Sequence, residues 1–75
     1  MTTNAHHVLL ARAVRALDGL WGTSRAVIVL RDAGVTAVDD HAAQKQARVA
    51  LRRLCRDGLL VRVDSPGNIA VYRRV

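Results

Sequence analysis

In the stretch KQARVALRRLCRDGLLVRV, Lys45 to Val63, five arginines and a lysine are threaded through alanine, leucine and valine. Placed at about 100° per residue, Ala43, Ala47, Ala50, Leu51 and Leu54 fall on one side and Lys45, Arg48, Arg52 and Arg56 on the other. A guanidinium is a planar fork of donors suited to phosphate oxygens and to the O6/N7 edge of guanine. Gln44 has the donor and acceptor pair that matches an adenine edge, and Val49 on the same side can meet a thymine methyl. Arg52, Arg53, Arg56 and Arg62 are suited to neutralising phosphates and setting a register on a duplex. The missing negative charge would come from outside the chain.

The charge balance, split by position, points the same way. Residues 1–44 carry four basic and four acidic side chains, whereas residues 45–75 carry eight basic and two acidic ones, so the net +6 lies entirely in the second part. Such asymmetry implies a polyanionic partner. Eleven of the twelve basic residues are arginine and there is no glutamate, which fits GC-rich coding, so part of the arginine preference reflects codons rather than chemistry.

Other chemistries find little support. Cys55 is the single cysteine, without a CxxC or a histidine at metal-ligand spacing, and reads as a small packing residue. His6 and His7 are adjacent near the chain start, and one of them facing solvent is expected rather than a metal site. No glycine-rich phosphate loop, paired carboxylates or cofactor fingerprint is present, so neither an enzyme nor a cofactor is expected. The only aromatic residues are Trp21 and Tyr72, too few for the stacking platforms of a single-strand or RNA binder. No apolar run approaches the roughly 20 residues of a membrane span. The opening MTTNAHH lacks the pattern of a secretory signal. A cytoplasmic protein, nucleoid-associated when bound, is expected.

The elements that position these residues can be read in order. The 75 residues suffice for one domain, 1–75, with a thin core. A first helix, about 5–18, places Leu9, Leu10, Ala13, Val14, Ala16 and Leu17 on one broad face, with Thr3 or Asn4 as cap and Gly19 as stop. Leu20 and Trp21 would continue the core packing beyond it. A second helix, about 24–33, is capped by Thr23 or Ser24 and closed by Gly34; its Val27, Ile28 and Val29 keep a strand in play, but the RDAG ending favours a helix. The third, about 40–57, follows the capping Asp39 and Asp40 and stops at Gly58; a capping box from Thr36 to Asp39 would start it earlier, but with Val38 on the basic face.

Beyond Gly58 the period alternates: LLVRVD, SPGN, IAVYRRV, a hairpin over about 59–75. A three-residue loop, Pro66-Gly67-Asn68, sets Val63 opposite Val71. Val61, Val63, Ile69 and Val71 would point inward, and Arg62, Asp64, Tyr72 and Arg74 outward, where Tyr72 either supports the wing or meets a phosphate.

This order, carried by ARVALRRLCRDGLLVRV followed by SPGNIAVYRRV, resembles the winged helix-turn-helix superfamily, an α+β, mainly helical fold of three helices with a C-terminal β-hairpin wing; no signature selects a subfamily. The resemblance covers about residues 23–75. It implies that the third helix enters the major groove of double-stranded DNA and that the wing touches the backbone or the neighbouring minor groove. The groove-facing positions would be His41, Gln44, Lys45, Arg48, Val49 and Arg52, and the wing positions Arg62, Asn68 and Arg74. The alanine-rich start of the third helix departs from many members by offering fewer polar side chains to bases. A small transcriptional regulator such as a repressor, or a phage- or plasmid-type DNA-binding accessory protein, is implied. The alternative is a module that docks an acidic protein through the same basic face. Useful specificity would need more than one copy on DNA, as a symmetric homodimer through the first helix at Val8 and Leu9, or as a cooperative multimer.

Overall fold

The computed structural model describes residues 6–63, 67 and 69–75. Three helices, α1 (His6–Ala16), α2 (Thr23–Asp32) and α3 (Asp40–Arg56), are joined by three short strands, β1 (Leu20–Trp21), β2 (Leu60–Val63) and β3 (Val71–Arg74). The strands form an antiparallel sheet in the order β1-β3-β2. This is the layout of a winged helix-turn-helix domain, mainly helical α+β.

Local chemistry explains where each helix stops. At the end of α2 the Val35 N–H donates to the Leu30 carbonyl (2.9 Å) and the Gly34 N–H to the Arg31 carbonyl (3.0 Å). Gly34 takes φ +94°, a left-handed conformation that suits glycine. Leu59, Gly58, Cys55 and Leu54 repeat the arrangement after α3. Both are Schellman endings, each turning an aliphatic residue back toward the core. At the other end of α3, Oδ1 of Asp39 accepts from the Ala42 N–H at 2.8 Å. The helix therefore starts at Asp40 rather than near Thr36, and Val38 is left 93% exposed in the preceding loop. The start of α2 differs from expectation: Gly22 is its cap, without a side-chain hydrogen bond, and Thr23 and Ser24 lie within the first turn.

The core is apolar throughout. Trp21, Leu10, Leu51, Leu60 and Val14 are its largest fully buried side chains, with Leu30, Leu54, Tyr72 and the alanines 11, 26, 47 and 50 completing it. Cys55 is half-buried against this cluster. The small alanines of α3 let α1 and α2 approach its inner side closely, leaving its charged side outward.

The hairpin has the expected register, Val63 opposite Val71, but the opposite facing. Leu60 and Tyr72 are buried, whereas Val61 is exposed, Val63 and Val71 are only half-buried and Ile69 is 68% exposed. The reason is β1: Trp21 pairs with Tyr72 across the sheet, and both rings pack on the inner side with Leu60. Aromatic side chains bury far more area than valines, so two rings and a leucine outweigh the count of β-branched residues. Tyr72 is thus a core residue rather than an outward one. Leu20, adjacent in the strand, points the other way and is 58% exposed. The expected cap at Thr3 or Asn4, the outward Asp64 and the ends of the Pro66-Gly67-Asn68 turn lie outside the described residues; Gly67 itself has φ +74°.

Candidate nucleic-acid interface

With the inner side of α3 fixed by Ala47, Ala50, Leu51 and Leu54, its outer side is set by helical geometry. Lys45, Val49, Arg52 and Arg56 run along the outermost line, flanked by His41 and Arg48, and all six are exposed. Lys45, Arg48, Arg52 and Arg56 form no ion pair or hydrogen bond among the described residues. The acids of this helix lie at its ends, at Asp40 and at the adjoining Asp57. From His41 to Arg56 the stripe extends along about 22 Å of helix axis.

Open grooves flank the stripe on both sides. One, of about 680 Å³, separates it from the start of α1 and is lined by His6, His7, Lys45, Val49, Arg52 and Arg56. The other, of about 470 Å³, separates it from α2 and is lined by Ser24, Ile28, Arg31, Gln44 and Arg48 among others. The helix therefore stands out between two depressions, as a rod of about 10–12 Å diameter that fits a major groove about 12 Å wide. Gln44, exposed, lies on the α2 side rather than on the crest.

The remaining basic residues are distributed less evenly. Arg53 is exposed but engaged: its Nε donates to both oxygens of Asp57, the closer at 3.1 Å, an i,i+4 pair on the surface. Arg62 is exposed on β2 with no partner among the described residues. Arg74 is exposed, but its Nη1 donates to the Arg15 carbonyl at 2.7 Å. That carbonyl is in the last turn of α1 and has no acceptor role within the helix, so Arg74 works as a cap that ties β3 to α1. Asn68 lies outside the described residues. Of the two positions expected at a dimer contact, Val8 is 46% exposed, whereas Leu9 is half-buried against the core.

Two features were not read from sequence. His6 and His7 sit beside the basic stripe, brought there by the packing of α1 across α3, for which no sequence signal exists. Arg25 lies with its guanidinium carbon 4.0 Å from the centre of the Trp21 ring and donates from Nη1 to the Leu20 carbonyl at 2.9 Å. The four-residue spacing of Trp21 and Arg25 across a helix start was the available clue. Trp21 Nε1 is buried with no acceptor among the described residues, and the Arg25 cation lies over the ring.

Among the described residues no cluster of three or more histidine, cysteine or acidic side chains could hold a metal ion, and no helix is long and apolar enough to cross a membrane. Comparison with known protein families, characterised proteins and solved structures finds no significant match.

Proposed function

We propose that this is a winged-helix protein that binds double-stranded DNA, with α3 in the major groove and the exposed Arg62 of the wing on the backbone. It would act in the cytoplasm, on the nucleoid, as a small transcriptional regulator or a phage- or plasmid-type accessory protein. The observation that carries this reading is the row of Lys45, Arg52 and Arg56 on the crest of a protruding helix with Arg48 on its flank, four cations without a partner among the described residues and with no acid between them. A merely solvated helix face gains from alternating charges, which neutralise one another; this face has one sign. The roles divide along the helix. His41, Gln44, Lys45 and Arg48, in its first half, would reach base edges, with Val49 offering an apolar contact to a thymine methyl. Arg52 and Arg56, in its second half, neutralise phosphates, and Arg53 joins them when it releases Asp57.

Fluorescence anisotropy with a labelled duplex over a salt series tests the proposal. The logarithm of the binding constant should fall linearly with the logarithm of salt concentration, with a slope near −0.9 per phosphate neutralised and roughly four to six phosphates per copy. A basic face that instead docks an acidic protein would leave duplex affinity weak and nearly flat over the same series.

A further inference from the structure

The outward facing of the valines leaves an apolar surface on the side of the sheet turned away from all three helices. Leu20, Arg73 and Val61 pair in one row across β1, β3 and β2, and Val71 and Val63 pair in the next. Their neighbours Trp21, Tyr72 and Leu60 are buried on the inner side, so alternation puts these five on the outer one. Val75, joined to Leu59 by a 2.9 Å backbone bond, continues the ladder and is 75% exposed. Leu20, Val61 and Val75 are exposed and Val63 and Val71 half-buried, together on the order of 300 Å² of apolar surface, within the range of the largest patch of a monomer, which is often functional. Arg73, in the middle strand, is the charged side chain at its centre and forms no hydrogen bond or ion pair among the described residues; Asp18 lies at its edge, in one depression with Leu20, Arg73 and Val75.

We propose that this outer sheet face is a protein-docking surface, separate from the α3 stripe, whose occupant is an aliphatic segment of another protein carrying a carboxylate that pairs with Arg73. Charge complementarity selects that occupant. A guanidinium flanked by Leu20 and Val61 becomes partly desolvated when the face is covered, and a carboxylate matches its fork with two parallel hydrogen bonds. A second copy of this chain is disfavoured: face-to-face stacking centres two Arg73 guanidinium groups on one another, with a single Asp18 at the edge of each face, between subunits that each carry +6. The patch is also less than half of the roughly 800 Å² per partner of a standard interface between folded proteins, and suits a single peptide segment better.

The test is a random peptide library displayed on phage, depleted on the Arg73→Glu variant and then selected on the wild-type protein. Depletion removes every peptide held by the basic stripe, so the outcome does not depend on DNA binding. Selected peptides should combine aliphatic residues with Asp or Glu and should lose about tenfold or more in affinity to Val61→Asp and to Leu20→Asp. They should bind the Arg48→Ala/Arg52→Ala variant as they bind the wild type. Circular dichroism melting of each variant identifies any that fails to fold, and one folded variant of the two suffices. Recovery of no peptide, of peptides without acidic residues, or of peptides indifferent to both substitutions would overturn the proposal. So would self-association of the wild type that Val61→Asp abolishes, since the occupant would then be a second copy.

Discussion

At the scale of single residues, the structure separates the arginines that are free from those already employed. Arg52 projects from the crest of α3 without a partner among the described residues, so Arg52→Ala should weaken binding to every duplex alike and reduce the salt slope by about 1. Arg48, one turn earlier, should behave differently: Arg48→Ala is expected to cost about 1 to 3 kcal/mol at a preferred site while sparing random DNA. Anisotropy titrations on both duplexes distinguish the two roles, and equal losses would assign Arg48 to the phosphates. Arg53 provides a test of opposite sign. Its Nε is held by Asp57, an exposed pair worth little to stability. Asp57→Asn removes a negative charge beside the proposed phosphate track and frees Arg53. DNA affinity should rise, with the salt slope steepening by up to about 0.9; an unchanged slope would show that Arg53 faces away from the duplex.

At the scale of elements, two local devices hold the helix-turn-helix in place. Asp39 caps α3, and Asp39→Ala should cost about 0.5–2 kcal/mol of stability, read in a urea titration as a lower midpoint with unchanged slope. Gly19, between α1 and β1, has φ +105°, and a Cβ there would lie 3.1 Å from Arg25 Nη1. Gly19→Ala should therefore be more costly than alanine at the open Gly34, because it strains the backbone and also presses on the cation over Trp21. Equal losses at both glycines would mean that the Arg25 contact contributes nothing. These elements were legible in the sequence to different degrees. The capping aspartate, the glycine stops and the amphipathic α3 are local signals, and so is the hairpin register, which follows from loop length. The facing of the hairpin was not local. It depends on Trp21 pairing with Tyr72 more than fifty positions away, and only that pairing shows that the outward-read tyrosine is core and the inward-read valines are surface. The engagement of Arg74 by the Arg15 carbonyl was hidden for the same reason.

At the scale of the whole molecule, the question is how many copies act together. A single recognition helix reads a few base pairs, so a second copy adds the specificity that one lacks. The first helix was the expected contact, but its outward line now reads differently. Leu9 packs on the core, and the exposed Val8 shares its face, at i+4 and i+7, with Arg12 and Arg15. Two copies joined there would oppose arginines across the contact. The outer sheet face carries Arg73 at its centre, and the α3 stripe is positive throughout, so each extended surface of this +6 chain repels its own copy in the absence of a polyanion. DNA removes that repulsion by supplying the negative charge between neighbours. We therefore expect the free protein to sediment as a monomer of 8.2 kDa and to occupy adjacent sites on DNA as direct repeats, with binding to a two-site duplex steeper than to a one-site duplex. Sedimentation velocity of the free protein, followed by titration of duplexes carrying direct or inverted repeats of one selected site, checks both parts. A dimer in the absence of DNA, with a preference for the inverted repeat about one helical turn apart, would replace the tandem arrangement with a two-fold one.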